Sequence, residues 1–385
     1  MSDLNNLFNN NSNIEYFKES KNTYMNSGLN ESIKKIYKIE ETFNWKEKCK
    51  NWPELPSFLP KVPRIIVIGD LHGDWDKMIK IYKKTGIIDR DYSAENYKNN
   101  LKWTGGNTVV VQLGDQIDSC RISGMGQSCK FESSTKNDKS NDIDILNFNT
   151  DLHNEAQKDT GAIYSLMGNH ELMNVDGNFD YVSHQNVKKY SKKHGSIDSE
   201  DYDESRKERI DNFKPGNKMA NFLACTRQVI LKIGSNLFVH AGIVPSIVKK
   251  LKSEGIKIIN NSMRYYLLKL LNENDRKNLD DIFNNKESPL WSREYKNKVL
   301  DIDDNRKKEN CDKLMEPITH FWKVGRIFVG HTPQIDTGIR KVCDDRIVFA
   351  DYGSSKAFDP WRSGKQSDIQ YIEILNDEKV IIHKN

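Results

Sequence analysis

Apolar residues along this chain fall into short runs that end abruptly on glycine and a charged or imidazole side chain. Ile65-Ile66-Val67-Ile68 is apolar at every position, so it predicts a strand buried on both faces rather than one with a wet side. Similar runs follow at Val109 to Leu113, Ala162 to Met167, Val229 to Ile233, Leu237 to Val239, Ile327 to Val329 and Ile347 to Ala350. Two later runs, Ile369 to Leu375 and Val380 to His383, flank Asn376-Asp377-Glu378-Lys379 and predict a terminal hairpin. Helical spacing appears at Trp75 to Thr85 and Ile143 to Lys158. Strands alternating with helices, then hairpins, predict mixed sheets covered by helices.

Before residue 60 the pattern weakens. Residues 1 to about 30 are polar and Asn-rich, with too little apolar surface to order themselves. Ile33, Ile36, Tyr37 and Ile39 then suggest a short helix, and Trp45 to Pro60 an extended strap. We therefore expect an N-terminal extension, 1–60, and one domain over 61–385. Polar insertions interrupt that domain at 130–142 and 191–209. A helical insert spans 249–286, with Tyr265, Leu268 and Leu271 on one face. Such inserts more often tune access than perform chemistry.

Composition narrows the classes. Lys and Arg total 59 against 55 Asp and Glu, a net charge of +4, which gives no argument for nucleic-acid or membrane-surface binding. No run approaches the about 18 consecutive apolar residues of a membrane span, and the N-terminus lacks the pattern of a signal peptide. The six cysteines (Cys49, Cys120, Cys129, Cys225, Cys311, Cys343) are scattered. They read as reduced thiols in a cytoplasmic protein, with Cys120 and Cys129 the one close pair able to bridge or bind a structural metal.

The strand ends carry the chemistry. Gly69-Asp70-Leu71-His72-Gly73-Asp74, Gly114-Asp115-Gln116-Ile117-Asp118, Gly168-Asn169-His170-Glu171, His240-Ala241-Gly242 and Gly330-His331-Thr332-Pro333 each follow an apolar run. A surface turn explains any one of these blocks. Six candidate ligands at five strand ends, Asp70, His72, Asp115, Asn169, His240 and His331, point instead to a metal site at the sheet edge where α/β proteins bind ligands. Nitrogen and oxygen donors without thiolate favour Mn, Fe or Zn. Two ions sharing Asp115 would make a bridging hydroxide available at neutral pH and polarise a phosphoryl oxygen. His170, beside a ligand, suits a general acid, and Asp118 can hold its tautomer. Arg121 and Arg293 are candidates to grip phosphate oxygens.

These blocks resemble the phosphoprotein phosphatase superfamily within the calcineurin-like metallophosphoesterases. Leu166 to Asn174, Phe213-Lys214-Pro215-Gly216, Leu237 to Gly242 and Leu290-Trp291-Ser292-Arg293 narrow the resemblance to the Shewanella-like protein phosphatases. It implies a four-layer αββα fold, a central β-sandwich flanked by helices. It assigns one metal to Asp70, His72 and Asp115, and the other to Asp115, Asn169, His240 and His331. It makes His170 the proton donor, paired with Asp118, and Arg293 a phosphate ligand. The implied substrate is a phosphoprotein or phosphopeptide, on Ser/Thr or Tyr. Hydrolysis of dinucleotide polyphosphates is the alternative, and a non-catalytic scaffold is the alternative of another class.

One position departs from the pattern. The second block usually continues Gly-Asp-x-x-Asp-Arg, with that arginine on phosphate; here the position is Ser119, and Arg121 follows two residues later. Either Arg121 loops back to replace it, or the phosphate clamp is weakened.

Overall fold

The computed structural model describes residues 27–93, 100–122, 128–135, 138–191, 199–302, 304–362 and 366–384. Among the described residues, twelve strands form two six-stranded mixed sheets. One contains, in spatial order, β12 (Lys379–Lys384), β11 (Gln370–Leu375), β2 (Arg64–Ile68), β3 (Val109–Gln112), β4 (Ala162–Leu166) and β5 (Arg227–Gln228). The other runs β1 (Phe58–Leu59), β6 (Ile230–Ile233), β7 (Asn236–Val239), β8 (Arg326–Val329), β10 (Ile347–Phe349) and β9 (Arg340–Val342). Every long apolar run is a strand. The short β1, β5 and β9 carry too few residues to show a period.

Runs apolar at every position bury both faces, as layered packing demands. Ile65, Val67, Val109, Val111 and Leu166 meet Leu231, Ile233, Phe238, Phe328 and Val348 between the sheets. Their neighbours Ile66, Ile68, Val110 and Ile163 turn outward against Met78, Tyr82, Phe148 and Leu152. Those four belong to α2 (Trp75–Thr85) and α3 (Asp142–Ala156). On the far side, Ile230, Leu237, Ile327 and Phe349 pack on Ile256, Ile259, Leu314 and Ile318. These come from α7 (Gly255–Leu267) and α8 (Asp304–Trp322). The result is helix, sheet, sheet, helix.

Two expectations gain a different shape. Residues 1–26 lie outside the described residues, but 27–42 form α1, whose Leu29, Ile33 and Ile36 are buried in the main core. Tyr265, Leu268 and Leu271 of the helical insert are likewise buried in that core.

The cysteine expectation is wrong. All six are paired, as Cys49–Cys225, Cys120–Cys129 and Cys311–Cys343, and no free thiol is left. Spacing hid this because two of the bridges join residues 176 and 32 apart in sequence, which only the fold brings together. The cytoplasmic expectation, argued from reduced thiols, loses that support. Among the described residues no helix is long and apolar enough to cross a membrane.

Candidate metal centre

The loops that follow β2, β3 and β4 in one sheet and β7, β8 and β10 in the other converge at one edge of the sandwich. Each trio of strands is parallel within its own sheet, and the two sets of C-terminal ends meet where His240 Nδ1 faces the Leu113 carbonyl and the His331 N–H donates to Asp70. This edge collects Asp70, His72, Asp115, Asn169, His170, His240 and His331, none more than 6% exposed. Close approach depends on glycines. A Cβ at Gly168 would stand 2.1 Å from Asp115 Oδ1, and one at Gly330 2.3 Å from Asp70 Oδ1. His72, Asp115, Asp118 and His331 have φ of 42°, 50°, 71° and 62°, a left-handed backbone that side chains rarely adopt without a local reason.

Asp115 is the centre. Its Oδ2 lies 3.3 Å from His240 Nε2 and 3.8 Å from Nε2 of both His72 and His170. Two trios, His72–Asp115–His170 and Asp115–His240–His331, have ligand atoms within 4.8 Å of one another and share that carboxylate. Asp70 adjoins the first trio, its Oδ2 3.9 Å from His72 Nε2. Asn169 Oδ1 joins the second, 2.9 Å from His240 Nε2.

Three of these rings are pinned in the same manner. His72 Nδ1 lies 3.2 Å from the Ile117 carbonyl, His240 Nδ1 2.8 Å from that of Leu113, and His331 Nε2 3.2 Å from that of Trp291. A carbonyl only accepts, so His331 Nε2 carries its hydrogen and leaves Nδ1 with a lone pair; His240 meets acceptors at both nitrogens, and His72 Nδ1 also lies 2.8 Å from Arg121 Nη2. Histidine ligands are oriented toward metals in this way. Burial also lowers the His72 and His331 imidazoles well below their usual range, favouring the neutral form that ligates.

The carboxylates, by contrast, are crowded. Burial, then the charges of Asp351 and Asp115, push the Asp70 carboxyl well above its usual range. Asp351 itself is raised to about 6, chiefly by burial, and its Oδ2 has no hydrogen-bond partner among the described residues. Three buried carboxyl groups interleaved with buried imidazoles form a site that a cation would satisfy; this donor set fits hard-to-borderline divalent ions. Asp351 was missed in sequence, although it follows the Ile347 to Ala350 run just as Asp70 follows β2.

His170, a member of the first trio, also anchors a second constellation. His170 Nδ1 donates to Asp118 Oδ2 at 2.8 Å, which turns Nε2 toward the Asp115 side. The position taken by Ser119 is closed, because its hydroxyl donates to Asp138 at 2.5 Å. Arg121 does fold back. Its Nη1 donates to the Asp118 and Cys120 carbonyls, and Nη2 lies 3.0 Å from His72 Nε2 and 3.4 Å from His170 Nε2. The guanidinium sits over the Tyr181 and Phe358 rings, 5.0 and 5.1 Å from their centroids. Arg293 approaches from the other side, donating to the His331 carbonyl at 2.7 Å and to Thr332 Oγ1 at 3.0 Å.

Sequence reasoning also passed over Glu171. Its buried carboxylate accepts from the backbone N–H groups of Asp115, Gln116 and Gly168, fastening the second block to the third.

A β-sandwich with an Asp/His/Asn cluster at the strand ends defines a metal-dependent phosphoester hydrolase. The chain belongs to the calcineurin-like phosphoesterase family, whose model matches residues 63–334. It is 35% identical over 247 residues to uncharacterized protein R398 of Acanthamoeba polyphaga mimivirus, covering 59% of this chain and 94% of that one. It is 25% identical over 369 residues to Shewanella-like protein phosphatase 2 of Arabidopsis thaliana, covering 86% and 84%. Shewanella-like protein phosphatase 1 of Plasmodium berghei matches at 26% over 302 residues, 76% of this chain and 67% of that one. Among solved structures, the cold-active protein-tyrosine phosphatase of a psychrophile Shewanella sp. superposes with a TM-score of 0.57 at 19% identity, over 87% and 84% of the chains. That likeness is one of fold.

Proposed function

We propose that the protein is a dinuclear-metal phosphoprotein phosphatase that hydrolyses phosphomonoesters of Ser/Thr or Tyr. In this reading Asp70, His72 and Asp115 hold one ion, and Asp115, Asn169, His240 and His331 the other. The observation that carries it is the shared Asp115 carboxylate, faced by histidines whose second nitrogens are each fixed on a backbone carbonyl. Bound there, Mn, Fe or Zn ions supply Lewis acidity toward phosphorus and a nucleophile from water at neutral pH.

The chain's own groups do the rest. With Nδ1–H held on Asp118, His170 presents Nε2 as the atom that gives a proton to the leaving oxygen as its bond to phosphorus breaks. Arg121 and Arg293 bind the non-bridging phosphoryl oxygens, Arg121 in the role that Ser119 cannot fill. The relatives named as protein phosphatases support a phosphoprotein substrate over a dinucleotide polyphosphate. Metal-reconstituted protein should release phosphate from pSer, pThr or pTyr peptides. Turnover of dinucleotide polyphosphates alone would reject the reading.

A further inference from the structure

Arg209 ends a segment, Asp203-Glu204-Ser205-Arg206-Lys207-Glu208, whose polarity predicts a solvated surface. In the fold it lies on α5 (Ser199–Phe213), is 0% exposed, and ranks among the largest fully buried side chains. Burying a guanidinium is costly unless its donors are matched, and an apolar side chain of that size would usually serve stability better. The arrangement of its partners gives the reason for keeping it.

Nε and Nη2 of Arg209 both donate to Asn174 Oδ1, at 3.0 and 2.8 Å. An amide can face either way; two donors on its oxygen allow only one. Asn174 Nδ2 is thereby aimed at Asp118 Oδ1 (2.9 Å) and the His170 carbonyl (3.0 Å). Asp118 keeps its other oxygen, Oδ2, for His170 Nδ1. A second arm fixes the main chain. Arg209 Nη2 donates to Asp142 Oδ2 at 3.0 Å, while Asp142 Oδ1 accepts the Asp118 N–H at 3.2 Å, at the residue whose φ is 71°. Phe179 and Phe213 hold the guanidinium in place, with ring centroids 5.5 and 5.1 Å from its carbon. One buried cation thus governs both the carboxylate and the backbone of Asp118.

We propose that Arg209, acting through Asn174 and Asp142, is a positioning residue that sets the His170–Asp118 proton donor in line with the leaving group. The inference rests on the phosphatase reading above, and its test separates the two. Phenyl phosphate needs its leaving oxygen protonated; dinitrophenyl phosphate does not. For Arg209→Met and for Asn174→Ala, kcat on phenyl phosphate should fall ~10–100-fold, the usual worth of groups that orient a site residue. The fall on dinitrophenyl phosphate should be several-fold smaller, with KM and bound metal per chain unchanged. Arg209→Lys, which keeps the charge, should recover part of the ratio. If Arg209→Met alone does not fold, Asn174→Ala and the paired Arg209→Met/Asp142→Asn, which removes both buried charges, carry the test. Equal losses on the two esters, or a loss confined to KM, would overturn the inference and leave the phosphatase reading standing. Wild-type protein inactive on both esters would overturn both.

Discussion

Nη2 of Arg121 lies 3.4 Å from Nε2 of His170, so the arginine that follows the irregular second block reaches the atom assigned to proton transfer. The contact settles where the side chain goes once Ser119 is turned away to Asp138. It also makes the phosphate grip testable. Arg121→Ala should lower kcat/KM on a phosphomonoester by ~10–100-fold, the value of a charge-assisted hydrogen bond. Arg293→Ala, measured on the same substrate, gives the scale for the opposite side. An unchanged rate in Arg121→Ala would mean that the arginine missing at Ser119 has no local substitute.

His170→Asn removes the proposed proton donor while leaving Asp70, His72, Asp115, Asn169, His240 and His331 in place. Metal content should be retained, and kcat on a substrate with a poor leaving group should drop about 10²–10⁴-fold. Full activity on such a substrate would sink the assignment.

Asp115→Asn strikes the carboxylate shared by both trios. Bound metal and activity should disappear together, as read by metal analysis of the purified protein. In the wild type, chelation should lower the melting temperature, because the crowded carboxyl groups of Asp70, Asp115 and Asp351 lose their counter-ions. Adding back an ion at about a thousand times its Kd should restore roughly 4 kcal/mol. A melting temperature indifferent to chelator would count against a resident metal.

The Cys120–Cys129 bridge closes the loop from which Arg121 projects. Replacing both cysteines by serine should raise KM more than it lowers kcat, since the guanidinium loses its tether while His170 and the carboxylates do not. Identical KM values in the variant and the wild type would show that Tyr181 and Phe358 hold Arg121 unaided.

Cys49–Cys225 ties the segment after α1 to the end of α6 (Lys218–Thr226), across 176 residues of sequence. The Cys49→Ala/Cys225→Ala variant should lose roughly 2–4 kcal/mol of stability by denaturant melting. No change in midpoint would mean that the core contacts of Leu29, Ile33 and Ile36 alone hold this segment.

What could be read without the fold was local. A largely apolar run, ended by glycine and then Asp, Asn or His, encodes a buried strand and the residue at its C-terminal end within a few adjacent positions. Asp70, Asp115, Asn169 and His331 were therefore visible in the sequence, as was His240 directly after its run, together with the layers that separate Ile65 from Ile66. Asp351 also follows its run directly, but Ala350 stands where Asp70, Asp115, Asn169 and His331 have a glycine. The tertiary structure alone decided the rest, because it depends on groups far apart in the chain. Cys49 and Cys225, 176 residues apart, meet only in the fold, and Arg121 turns inward where Tyr181 and Phe358 provide its faces. Arg209 is indistinguishable from Arg206 by composition, three residues away on one helix. Burial beside Asn174 and Asp142 converts one of them from a solvated charge into a support for the site, and burial is a property of the assembled fold.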